Sequence, residues 1–163
     1  MAILLEDEIQ DLISEKKILP KDYPKRIQTK LKSGFQHEQR ELTVKGINEH
    51  TFSIVLRKNK IDFLDFSIIL RYREDTTNIW YNLARYNGKH THTNIIEKNT
   101  FHDFHAHYAT QRYQEAGLRI EAFAKINNSY KTFKEAIDAF IKDFNFQVEL
   151  PESATTLIEF GGG

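Results

Sequence analysis

Residues 63–73, FLDFSIILRYR, decide how this chain is read. Leu64, Phe66, Ile68, Leu70 and Tyr72 fall on one side of an extended backbone, and Asp65, Ser67, Ile69, Arg71 and Arg73 on the other. Successive side chains of a strand alternate between faces, so this spacing predicts a strand with one face buried. Working outward, TFSIVLRK (51–58) repeats the pattern with Phe52, Ile54 and Leu56, and FQHEQRELTVKG (35–46) reads as a strand before it, with Ile47–His50 as the turn. Downstream, Glu74-Asp75-Thr76-Thr77 is a polar turn, and NIWYNLARY (78–86) is a further strand, less cleanly divided between faces. Short turns between strands predict an antiparallel meander of about five strands.

Helices flank this sheet. Residues 6–17 place Ile9, Leu12 and Ile13 on one helical face, with acids in the first turn and lysines in the last. Pro20 and Pro24 interrupt the pattern, and a second short helix through Ile27 and Leu31 is expected to stop at Gly34. Near the C-terminus Phe133, Ile137, Phe140, Ile141 and Phe144 recur at helical spacing behind a cap at Ser129 or Thr132, so this helix should close the core. Between Ala109 and Ile126 helix and strand readings compete. The expectation is one α+β domain over 1–160, with a helical segment at about 6–33, sheet and C-terminal helix at about 35–150, and a glycine tail at 161–163.

Composition excludes several classes. The 163 residues contain no cysteine, which removes thiolate zinc sites, redox dithiols and cysteine nucleophiles. Lys and Arg total 23 and Asp and Glu total 23, so wholesale electrostatic capture of nucleic acid is not expected. No apolar run approaches the roughly 18 residues of a membrane helix, and MAILLEDEIQ turns acidic too early for a signal peptide. A cytoplasmic protein with no membrane partner is expected. There is no phosphate-cradling glycine loop, dinucleotide fingerprint or serine nucleophile elbow.

The chemistry concentrates between Arg85 and Tyr108, RYNGKHTHTNIIEKNTFHDFHAHY, which holds His90, His92, His102, His105 and His107 out of 7 histidines in the chain. Asn87-Gly88 reads as a turn just before the first pair. In extended backbone His90, His92 and Asn94 share a face, while Asp103, His105 and His107 point away from Phe104, Ala106 and Tyr108. Parity places His102 with those apolar residues. If the two segments pair, four imidazoles and Asp103 reach one patch, with His105 and His107 pointing away from the core.

Three uses of this patch stand open. Histidines with an Asp can ligate zinc, iron, nickel or manganese. Imidazoles can instead divide general base and general acid roles without a metal. Arg71, Arg73, Arg85 and Lys89, with Arg112 further on, can balance a phosphodiester's charge. The third use is hydrogen bonding to backbone and threonines alone. The residues favour metal-free catalysis with no cofactor. His90, His92, His105 and His107 are then the catalytic groups, and Arg71, Arg73, Arg85, Lys89, Asn94, Asp103 and Arg112 bind phosphate or substrate. Tyr72, Trp80, Tyr81, Tyr86 and Tyr108 are read mainly as core, and Glu115 as a solvated position.

The same run, Arg85-Tyr86-Asn87-Gly88 followed by His90, His92, Asn94, Phe101-His102, His105 and His107, resembles an uncharacterised family of small bacterial and phage proteins. It is distantly similar to the TumE-like toxins of toxin–antitoxin pairs, which carry an Arg-Tyr-Asp core, a histidine pair and a second histidine-rich segment. Asn87 stands where those toxins have an acid, and Thr91 separates histidines that are adjacent in them. The resemblance implies a prokaryotic or phage setting and a toxin-like or defence-related role, with a cognate antitoxin as partner. The histidine cluster beside arginines points to action on RNA as a metal-independent ribonuclease. One alternative is a non-catalytic phage or mobile-element inhibitor that docks on a protein or RNA–protein complex. The other is a histidine-ligated metal enzyme.

Overall fold

A computed structural model describes residues 2–31 and 37–149. In chain order the helices are α1 (Glu6–Ser14), α2 (Tyr23–Arg26), α3 (Gln111–Glu115) and α4 (Phe133–Asp143). The strands are β1 (Lys17–Leu19), β2 (Gln28–Leu31), β3 (His37–Lys45), β4 (Thr51–Asn59), β5 (Phe66–Arg73), β6 (Trp80–Asn94), β7 (Asn99–Tyr108), β8 (Phe123–Ile126) and β9 (Phe146–Val148). Strands β2 to β8 form one antiparallel sheet in sequence order, and β1 pairs with β9 in parallel. The α+β meander with its C-terminal helix is the one the alternation predicts. The sheet has seven strands rather than about five, because β2 and β8 are only 4 residues each and carry little periodicity.

One face of the sheet is the core. Leu42, Val44, Phe52, Ile54, Leu56, Phe66, Ile68 and Leu70 are buried on it, beneath Ile9 and Leu12 of α1 and Ala136 and Phe140 of α4. Each such large side chain contributes about 1.5–3 kcal/mol relative to exposure. Thr132 caps α4 by accepting the Glu135 N–H at 3.1 Å, as its position before the helical run predicts. Tyr86 centres the aromatic packing: Tyr130 stacks on it at 5.3 Å, and Phe140 meets it edge-on at 5.6 Å.

Three local expectations are overturned. Residues 27–31 are not a helix: α2 ends at Arg26 after Pro24 opens it, and β2 follows; Gly34 and the terminal glycines lie outside the described residues. α1 ends at Ser14, before the lysines. Lys17 acts instead from beyond the helix, buried with its ammonium donating to the carbonyls of Ile13 (2.8 Å), Glu15 (2.8 Å) and Phe144 (2.9 Å). It thereby ties the carboxyl ends of α1 and α4, where the helix dipole favours a cation. Burial lowers its pKa to about 8, so the group remains charged at neutral pH.

The third correction shapes everything downstream. Asn87-Gly88 is not a turn but lies inside β6, and the hairpin turn comes at residues 95–98. The pairing of β6 with β7 passes from Asn87 opposite His105 to Lys89 opposite Phe104, leaving Gly88 as an extra residue. A second extra residue, Leu83, sits where Leu70 faces Ala84 and Arg71 faces Asn82. Each β-bulge shifts the alternation by one and bends the strand. This explains the poorly divided pattern of residues 78–86. It also puts odd-numbered Arg85 and Asn87 on the same face as even-numbered His90, His92 and Asn94.

Gly88 is required by a close approach. The Lys89 N–H donates to the Leu64 carbonyl at 2.9 Å, and a Cβ on Gly88 would lie 1.7 Å from that oxygen. Gly88→Ala is expected to destabilise the protein by on the order of 3 kcal/mol, since backbone must move. Gly117→Ala, at φ 75° with open space around it, should cost only about 1–2 kcal/mol of left-handed strain. Urea unfolding of the two variants checks the order; equal losses would refute the clash.

Candidate metal centre

The polar face of the sheet carries the site. Across adjacent strands it presents Arg57, Ser67, Asn87 and His105 in one register row, and Arg85 opposite His107 in the next. The far half of the β6–β7 hairpin then folds back over this face. His92 lies seven residues beyond Arg85, on the order of 20 Å along a flat strand, yet its ring centre is 4.7 Å from that of His107. The bend at Gly88 makes this return possible.

Two clamps hold the folded hairpin. The Asn94 side chain pairs with the backbone of β8, its amide donating to the Ala124 carbonyl at 2.8 Å and its carbonyl accepting the Ala124 N–H at 2.9 Å. At the tip, Glu97 is held by Arg112 and by the Tyr113 hydroxyl of α3. His105 and His107 are therefore only 0% and 3% exposed. They point away from the main core, as parity predicts, and the hairpin covers them.

His92, His105 and His107 each offer a nitrogen within 4.8 Å of the other two. One nitrogen of each ring is held by an acceptor. His105 Nδ1 lies 2.8 Å from the Asp103 carbonyl and His107 Nδ1 lies 2.9 Å from the Glu121 carbonyl. A carbonyl only accepts, so both rings carry the proton on Nδ1 and keep a lone pair on Nε2. His92 Nε2 is 2.9 Å from the Asn94 side-chain oxygen, which also accepts from the Ala124 N–H, so His92 donates there. The Asn87 amide approaches His105 Nε2 at 3.4 Å, a long contact. Burial lowers the pKa of His105 to about 4 and of His107 to about 3, with like-charged neighbours including Arg85 adding to the effect. Both are neutral lone-pair donors at neutral pH.

His90 belongs to the same face at the exposed rim, its ring 4.6 Å from that of His105, and burial also lowers its pKa, against an opposing pull from Asp65. Asp103 lies opposite His90, and its contribution to the cluster is its backbone carbonyl. His102 points to the other face with Thr91, as parity predicts.

Among the expected phosphate-binding residues, Arg85 and Asn94 are in the site. Lys89 is not: the bulge puts it opposite Phe104 on the other face. Arg112 packs over Phe123 and fastens the hairpin tip. Arg71 and Arg73 share the polar face but stack on Trp80 at 4.4 and 5.5 Å, and Arg71 is bound by Glu41. Sequence reading missed Arg57, Ser67, Asn87 and Glu121, whose positions depend on strand register and on a loop carbonyl. Comparison with protein-family models, with curated proteins and with solved structures returns no match. Among the described residues no helix is long and apolar enough to cross a membrane.

Two measurements follow. In chelator-treated protein the folded-state pKa values of His105 and His107 lie below the ordinary 6.5, so the unfolded chain binds more protons as the pH drops. Stability should be full above about pH 6.5 and fall progressively toward pH 3; a His105→Gln/His107→Gln pair should flatten the part between pH 6.5 and 4, read by urea midpoints. Asn94→Ala should cost about 1–3 kcal/mol by leaving the Ala124 groups unpaired, and unchanged stability would show that the clamp is idle.

Proposed function

We propose that His92, His105 and His107 hold a divalent first-row transition metal and that the chain is a metal-dependent enzyme. The observation that supports this reading is the clustering of three imidazoles, each with a nitrogen within 4.8 Å of the other two, with His105 and His107 held at Nδ1 by backbone carbonyls and His92 held by the Asn94 side chain. Such outer partners set the tautomer and orientation that metal-ligating histidines need. An all-imidazole donor set suits zinc, iron, nickel or copper. Three protein ligands leave a position for water or substrate, the pattern of catalytic rather than structural zinc sites. A bound cation would supply Lewis-acid activation of an oxygen in that position.

This reading departs from the metal-free one on physical grounds. General acid–base catalysis wants an imidazole that takes up a proton near the working pH. Burial holds His105 and His107 far below that range. Proton handling falls to His90, which is exposed at the rim beside His105. A toxin-like role, as the resemblance implies, with action on RNA would proceed through this centre.

Untagged protein is expected to take up one zinc per chain in elemental analysis. His105→Ala and His107→Ala should each lose it, His102→Ala should retain it, and Asn94→Ala should weaken affinity about 10–100-fold. Cobalt substitution should give a visible spectrum that changes when azide enters the open position. No stoichiometric uptake of zinc, cobalt, iron or nickel by the wild type would refute the centre, and a spectrum indifferent to azide would make it structural.

A further inference from the structure

The polar face beside the three histidines holds more positive charge than its neighbours balance. Arg57 and Arg85 lie in adjacent register rows, each about one strand spacing from the next polar side chain: Arg57 beside Ser67, Arg85 beside His107. The Nε atoms of both are buried and have no hydrogen-bond partner. Those of Arg71 and Arg73 on the same face are likewise unpartnered, but their guanidiniums stack on Trp80 and Arg71 is bound by Glu41. Arg85 has Ile69 and His107 as its cross-strand neighbours, neither of which carries a counter-charge at neutral pH.

Two carboxylates are near, and neither touches these guanidiniums. Asp65 accepts from His37 at 3.1 Å and from Asn59 at 3.2 Å, and feels Arg57 only through the field. Glu121 lies 3.4 Å from Arg119 through one oxygen, and its other oxygen, Oε2, is buried without a partner. Its effect on Arg85 is likewise through the field, and it is opposed there by Arg57 and Arg119. Among the described residues, no carboxylate forms an ion pair with Arg57 or Arg85. Between the two arginines and His105 the floor is polar: the Ser67 hydroxyl donates to the Asn87 side-chain oxygen at 2.8 Å, and both residues are buried.

Buried guanidinium nitrogens without acceptors are costly, and a sheet face that keeps them is arranged for an anion from outside. We propose that Arg57 and Arg85 seat a phosphoryl group next to the three-histidine centre, so that its substrate is a phosphate ester. This rests on the metal reading above for the reaction, although the anion seat is defined by the arginines themselves. The charge decides the class. Neutral imidazoles cancel none of a divalent cation's charge, and two guanidiniums add to it. A phosphoryl group, with up to two charges and three acceptor oxygens, matches that field and that number of donors; a carboxylate, with one charge and two oxygens, does not.

The test uses untagged full-length protein, inorganic phosphate as probe and calorimetry. Zinc-loaded wild type should bind phosphate and discriminate against acetate. Arg57→Gln and Arg85→Gln should each weaken phosphate at least about tenfold while retaining one zinc per chain, and Arg71→Gln, on the same face but tied to Glu41, should leave phosphate binding unchanged. Arg85→Lys, which keeps the charge, covers the case in which Arg85→Gln fails to fold, and should restore part of the affinity. Phosphate affinity unaffected by either Arg57 or Arg85, or acetate binding as tightly as phosphate, overturns the proposal. If the wild type takes up no metal, phosphate-induced thermal shifts in chelator-treated protein still decide the seat, so the two readings fail separately. Displacement of phosphate by a short single-stranded RNA identifies a phosphodiester as the source, and displacement by phenyl phosphate alone identifies a small monoester; displacement by neither overturns the assignment.

Discussion

The bend at Gly88 is the constraint on which this molecule turns. A strand as long as β6, 15 residues, would run straight past the sheet if its alternation were unbroken. The extra residue bends it, and the Leu64 carbonyl in the space a side chain would occupy leaves glycine as the residue that fits. The same event sets the face of every functional group around it. Between the Leu83 and Gly88 bulges odd positions face the polar side; after Gly88 even positions do. Arg85 and Asn87 thus share a surface with His90, His92 and Asn94, and the hairpin returns over His105 and His107.

Covering those two histidines changes their chemistry. An exposed imidazole titrates near neutrality and serves as acid or base, whereas a buried one beside a guanidinium stays neutral and offers a lone pair. Position on the sheet alone would leave both options open. Enclosure by the hairpin, together with carbonyl acceptors on the two Nδ1 atoms, selects the second. His90, one step outside the cover, keeps access to solvent, although burial lowers its pKa as well. The division of labour among these chemically identical side chains is set by burial and by which nitrogen is already bonded.

Much of this was legible in the sequence, and the illegible part has a common cause. Alternation identified β4 and β5, helical spacing and a threonine cap identified α4, and two His-x-His pairs located the cluster. Parity correctly separated His102 from the others. What parity missed were the bulges, since an inserted residue looks in sequence like an imperfect strand or, with Asn87-Gly88, like a turn. Lys89 was grouped with the arginines by charge although, next to His90 in an extended strand, it faces the other way, and Arg57 and Ser67 were passed over because they join the site only through register across four strands. Glu121 contributes a backbone carbonyl, which no side-chain pattern signals.

The two faces of the sheet are also joined chemically at the bend. A bulge interrupts the ladder and leaves carbonyls in need of donors. Here the Tyr130 hydroxyl, buried in the aromatic core, lies 2.8 Å from the Asn87 carbonyl and 2.9 Å from the His105 carbonyl. Its proton is shared between the two residues that flank the site on its other side. Tyr130 in turn stacks on Tyr86, which packs against α4. His105 is therefore fixed from behind by the hydrophobic core, while His107 takes its acceptor from the loop carbonyl of Glu121. Rigid elements hold a ligand set more closely than loops do, and here that rigidity and the stability of the core pass through one tyrosine.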